Sequence, residues 1–145
     1  MIRRNPFNVL ARLRSIDEKM ARASLANTQQ AHERARRKLE ELKDKHLAAL
    51  EIEEILGPAQ LRSLQLRGIS SYEMLTAAAH AVAQSERAVR AKAEAWRRTA
   101  ADLDAAERLE EKKNQEIAQE AAKSAEKAMD DLMGMLHARI GDGLI

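Results

Sequence analysis

The chain contains no cysteine. It therefore forms no disulfide, no cysteine-ligated zinc site and no thiol intermediate, in keeping with a reducing compartment. With only two prolines and five glycines in 145 residues, long stretches hold nothing that interrupts a helix. Phe7, Tyr72 and Trp96 are the only aromatic residues, too few for a thick core or for a platform that stacks nucleic-acid bases. No apolar run approaches the roughly 18 residues of a membrane span. The start, Met1 to Pro6, carries Arg3 and Arg4 but no apolar core, so no signal peptide is expected. A Gly-x-x-x-x-Gly-Lys phosphate loop, a nucleophile elbow and a glycine-rich dinucleotide fingerprint are all missing from the sequence.

What remains is charge, alanine and a seven-residue rhythm. Charged residues make up 33% of the chain and hydrophobic residues 45%, many of them alanine, a profile of long helices and coiled coils. The net charge of +2 is unevenly placed: residues 1–50 hold 12 Lys/Arg against 6 Asp/Glu, and residues 51–145 hold 13 against 17. Halves of opposite sign suit antiparallel packing of one against the other better than the continuous basic face that nucleic acid requires. From Ser71 to Met133 there is neither Gly nor Pro, and Leu75, Val82, Val89, Trp96 and Leu103 recur at every seventh position. The beat fails at Glu110 and returns at Ile117; small residues at Ala79, Ala93, Ala100 and Ala121 are the next candidates for the same face. A helix with so narrow a seam needs a partner helix.

Asn5-Pro6 reads as a helix start, with Asn as cap and Pro at the first helical position. Helix one is expected over 6–56. Its stripe runs through Leu10, Leu13, Ile16 or Asp17, and Met20, thins to Asn27, Ala31 and Ala35, and recovers at Leu39, Leu42, His46, Ala49 or Leu50, and Leu56. Gly57-Pro58 ends it. Residues 57–70 are expected to form the tip, with a short helix at 58–67 closed by Gly68. Ser70 and Glu73 form a capping box flanked by a staple of Ile69 and Met74, so helix two is expected over 71–139, followed by a tail at 140–145. The fold expected is all-α: a single long antiparallel two-helix coiled-coil hairpin with a short helical segment at its tip.

Little in this outline invites catalysis. His32, His46, His80 and His137 are scattered; His46 and His80 come closest to a cross-helix pair, whereas a metal needs three converging donors. The pairs Glu40-Glu41, Glu53-Glu54, Glu110-Glu111 and Asp130-Asp131 read as solvated faces, because acid–base chemistry needs a desolvated cleft. Arg34, Arg36, Arg37 and Lys38 are bracketed by Glu33, Glu40 and Glu41 and read as a charged outer face. Trp96 reads as a seam knob. Near the end, Met129, Leu132 or Met133, Leu136 and Ile140 fall at helical spacing. This stripe can pack on Phe7, Leu10 and Leu13 at the base of the hairpin, or meet a partner through its adaptable methionines. Neither enzyme activity nor a cofactor is expected.

The stretch Phe7-x-x-Leu10-x-x-Leu13-Arg14-x-x-x-Glu18-x-x-Ala21 resembles the first helix of FliJ, the flagellar type III export component, and of its injectisome counterparts, the YscO group. Trp96, Leu103 and the run Glu107 to Lys113 are similar to the family's second helix. Glu126-Lys127-x-Met129-Asp130-Asp131-Leu132 resembles a late stretch of that helix, with Ala125 and Ala128 departing from its usual polar residues. Met1 to Arg4 and Leu136-His137 lean toward the injectisome branch. Where flagellar members show aromatic residues late in helix one, this chain has Lys45 and His46.

The resemblance implies a cytoplasmic stalk, peripherally associated with an inner-membrane export apparatus. Its implied partners are a hexameric export ATPase, the cytoplasmic domain of the export gate, and export chaperones. Carried onto this sequence, Phe7, Leu10, Leu13, Arg14, Met129, Leu132 and Leu136 would enter the ATPase ring; Leu39, Leu42, His46, Tyr72, Leu75 and Ala79 would face the gate. The chain is expected to be monomeric when free. One alternative is a homodimeric scaffold with no ATPase partner. Another is a peripheral protein lying on anionic lipid through Ile2, Arg3, Arg4 and the Met-rich tail.

Overall fold

The computed structural model describes residues 4–50, without the Leu50 side chain, and 57–143. Two long helices, α1 (Phe7–Leu50) and α2 (Pro58–Gly143), pack against each other antiparallel, and no strand occurs among the described residues. The fold is thus the expected all-α helical hairpin. Its contacts fall into two compact units, one of residues 1–16 with 101–145 and one of residues 17–100.

Asn5 starts α1 as its chemistry suggests. The Asn5 Oδ1 accepts the Phe7 N–H at 2.9 Å, filling one of the donors a helix start leaves open. The expected end of helix one at Leu56 lies outside the described residues. At the other helix start the structure corrects the sequence reading. There is no separate 58–67 helix and no new start at Ser71: α2 begins at Pro58 and passes unbroken through Gly68, Ser70 and Glu73. Gly57 opens the second helix. Its N–H donates to Gln60 Oε1 at 3.0 Å, and its carbonyl accepts the Leu61 N–H at 2.9 Å, while Pro58 occupies the position where a missing N–H costs nothing. Ile69 and Met74 are 58% and 52% exposed, so no staple closes. None of the described glycines has positive φ; a helical glycine costs about 1 kcal/mol, less than breaking the hydrogen-bond ladder. For the same reason α2 runs through Gly134 and Gly141 to Gly143, beyond the expected end at Arg139.

In residues 17–100 the covered positions of α1, apart from Ser24, step by four and three: Glu18, Ala21, Leu25, Thr28, His32, Ala35, Leu39, Leu42 and His46. The facing positions of α2 are Ser71, Leu75, Ala78, Val82, Ser85, Val89, Ala93 and Trp96. In the other unit Phe7, Ala11 and Arg14 lie along Leu103, Ala106, Glu110, Lys113 and Ile117. The α2 beat is therefore as read, but its companions mostly fall three residues on rather than four. Ala78 and Ala106 are buried, Ala93 and Ala100 are half-buried, and Ala79 and Ala121 are exposed.

On α1 the seam departs from the expected stripe. Leu13, Ile16 and Met20 are 55%, 54% and 67% exposed, and Asn27, Ala31 and Ala49 are exposed as well. Within residues 17–100 the covered face runs through Glu18 and Leu25 to Leu39 and Leu42, and in the other unit Ala11 and Arg14 are covered, whatever the polarity there. Among the described residues the buried apolar side chains are all small: Ala11, Ala78 and Ala106. Small side chains let the helix axes approach closely, and they leave the pair with a thin core.

Candidate interaction surfaces

The seam compensates for its thin core with polar clasps. In the unit built from residues 1–16 and 101–145, Asn5 does two jobs. Its carbonyl oxygen caps α1, and its Nδ2 donates to the Glu110 carbonyl at 2.8 Å and to Asn114 Oδ1 at 2.9 Å. Arg14 lies 3.8 Å from Asp102, both partly exposed, a pair that contributes little. An open groove at the Asn5 clasp partners Glu110 and Asn114 is also lined by Asn8, Arg12, Ser15, Glu107 and Glu111.

In residues 17–100 the central clasp is Glu18, 5% exposed. Its Oε1 accepts from Trp96 Nε1 at 3.0 Å and from Arg22 Nε at 3.0 Å, with the Arg22 terminal nitrogen also bonded. The Arg22 guanidinium, with the indole N–H second, holds the Glu18 carboxyl below its ordinary range against an opposing push from burial. Two histidines sit in the same seam. His32 Nδ1 meets Ser85 Oγ at 2.7 Å, and His46 Nδ1 meets Ser71 Oγ at 2.8 Å. Ser85 Oγ also donates to the Val82 carbonyl at 2.8 Å. A hydroxyl has one proton, so His32 Nδ1 donates to Ser85. His46 and His80 are each bonded elsewhere, His46 to Ser71 and His80 to Gln84 on its own helix. Among the described residues no three His, Cys, Asp or Glu side chains converge on a possible metal position.

The residues singled out from the sequence are divided by the structure. Phe7, Leu10 and Arg14 are half-buried and Leu13 is exposed, all near the start of α1. Met129, Leu132 and Leu136 are exposed at 64%, 53% and 46%. They do not pack on Phe7, Leu10 and Leu13. Asn5 already pairs with Asn114, so Met129 lies 15 residues further along α2, about 22 Å at 1.5 Å per residue. Ile117 is the last covered position of α2: every described residue from 118 to 143 is exposed. Of the second set, Leu39, Leu42, His46 and Leu75 are half-buried in the seam, whereas Tyr72 and Ala79 are exposed.

Sequence reasoning missed the Glu18–Trp96 clasp and the two His–Ser pairs, whose signal is the seven-residue spacing of Glu18, Leu25, His32, Leu39 and His46. Arg34, Arg36, Arg37 and Lys38 are exposed, a charged outer face as read, and Arg36 pairs with Glu33 at 3.8 Å along the same helix.

Two long helices packed against each other with polar clasps between them define a helical hairpin of the coiled-coil class. The family model for the flagellar FliJ protein matches residues 3–141, and the chain belongs to the FliJ family. Membership implies a component of the flagellar export apparatus. No curated protein and no solved structure matches the chain. No helix among the described residues is long and apolar enough to cross a membrane.

Proposed function

We propose that this chain is a non-enzymatic stalk and escort of a type III protein export apparatus. It couples the hexameric export ATPase to the export gate and carries export chaperones, working in the cytoplasm at the inner-membrane apparatus. The observation that carries the reading is the exposed end of α2, residues 121–143, in a chain of the FliJ family. A single helix with Met129, Leu132 and Leu136 exposed is slim enough to enter a ring, and its methionines adapt to the wall they meet. In this reading the α1 start (Phe7, Leu10, Leu13, Arg14) follows the tail toward the ring. Tyr72 and Ala79, the two outward-facing members of the second set, offer the gate more than the seam residues Leu39, Leu42, His46 and Leu75 do.

Mixing the purified chain with its cognate ATPase tests the proposal. The expected result is co-elution together with faster hydrolysis or increased hexamer formation, both reduced by Leu132→Asp and left intact by Tyr72→Ala. Unchanged turnover with no co-elution refutes the ATPase coupling.

A further inference from the structure

Two apolar stripes in the unit of residues 1–16 and 101–145 lie open. On α1, Val9, Leu13 and Ile16 are 63%, 55% and 54% exposed; on α2, Met129, Met133 and Leu136 are 64%, 54% and 46% exposed. Each set steps by four and then three residues, the spacing of a coiled-coil seam. They cannot cover each other within one chain. α2 runs as one helix past the start of α1, and Asn5 at that start pairs with Glu110 and Asn114, so the tail points onward from the stripe it would have to meet.

We propose that two copies of this chain pair reciprocally, the Met129–Met133–Leu136 stripe of each lying on the Val9–Leu13–Ile16 stripe of the other. Direction supports this occupant. Under a two-fold axis the two α2 helices run antiparallel, so the tail of one copy runs parallel to α1 of the other, and the four-then-three steps of both stripes then coincide. This register places the axis near Ala118, with Ala121 and Ala122 beside it adding no bulk. Charge supports it as well. Residues 4–16 carry Arg4, Arg12 and Arg14 and no acid, while residues 118–143 carry five acidic side chains against three Lys/Arg. Twelve half-exposed apolar side chains at roughly 60–100 Å² each bury on the order of 1,000 Å², the lower edge of a specific interface. The pair is thus weak and reversible, and at low concentration the free chain is monomeric. The pairing stands without the export reading; where that reading holds, the ATPase competes for the same tail.

Sedimentation velocity of the full chain alone, with no ATPase present, tests it. Mass is expected to rise from 16.2 kDa toward twice that value between about 10 µM and about 300 µM, the range of a weak complex. Leu13→Asp and Met133→Asp should each hold the chain at monomer mass with helicity unchanged. Because the chain lacks cysteine, a Leu13→Cys, Met133→Cys chain should oxidise to a covalent dimer, whereas Ala26→Cys, Met133→Cys should not. If an Asp variant loses helicity, the cysteine pair decides. A constant monomer mass, a dimer indifferent to both Asp changes, or cross-linking by the Ala26 pair alone overturns the proposal.

Discussion

Glu18 is the residue on which the chemistry of the seam turns. A carboxylate 5% exposed is held by an arginine one turn on and an indole across the seam. Its folded-state pKa is depressed, so its contribution to stability is present above the unfolded-state pKa and is lost as pH falls through the folded-state value. Thermal melts followed by circular dichroism should therefore show Tm falling on acidification below about pH 4, where free carboxylates protonate. The fall should be shallower in Glu18→Gln, and equal slopes would remove Glu18 from the acid response. His32 gives a second expectation. The Ser85–Val82 bond makes His32 Nδ1 the donor, so nitrogen NMR should find the neutral ring protonated at Nδ1. Ser85→Ala, which leaves that N–H without its acceptor, should destabilise by about 1 kcal/mol. An Nε2–H ring would reverse the assignment.

At the scale of elements, the two helix starts show how far local chemistry reaches. Asn5-Pro6 was legible because cap and proline act within a single turn. Ser70–Glu73 carried the same kind of signal and went unused, because a cap acts only where a chain enters a helix, and Gly57-Pro58 had already begun one. Gly68→Ala separates the two readings. In a continuous helix, with nothing within 4 Å of an added Cβ, it should stabilise by about 1 kcal/mol, or about 2–4 °C in Tm for a chain of this size. A left-handed cap at Gly68 would instead make the same change destabilising. The α1 seam was legible in its second half, at Ala35, Leu39, Leu42 and His46, and misread in its first. There Leu13, Ile16 and Met20 look like the core and are exposed.

For the whole molecule, the exposed end of α2 makes a prediction about separable parts. Deleting residues 121–145 leaves the Asn5 clasp intact, since its partners Glu110 and Asn114 precede the cut. The shortened chain should melt within about 2 °C of the parent, as surface changes within about 0.5 kcal/mol allow, and should lose both ATPase stimulation and self-pairing. A large drop in Tm would mean that the tail supports the hairpin. The ATPase-ring candidates taken from the sequence fall into two groups for the same reason. Sequence spacing places Met129 and Leu13 on helix faces, but it does not say how far α2 outruns α1.

That the chain is helical follows from the sequence alone, whereas the start and end of α2 do not. Breakers are absent over long stretches, Asn5-Pro6 starts α1, and the beat from Leu75 to Leu103 marks the inner face of α2; each is a local property of backbone and spacing. Tertiary structure decided which face of α1 meets that beat. The first half of α1 carries two stripes at seam spacing: a small and polar one through Ala11, Arg14 and Glu18, and an apolar one through Val9, Leu13 and Ile16. Polarity alone favours the second. In residues 1–16 the small stripe is the packed one, because small side chains let the helix axes approach closely, and the apolar stripe stays exposed.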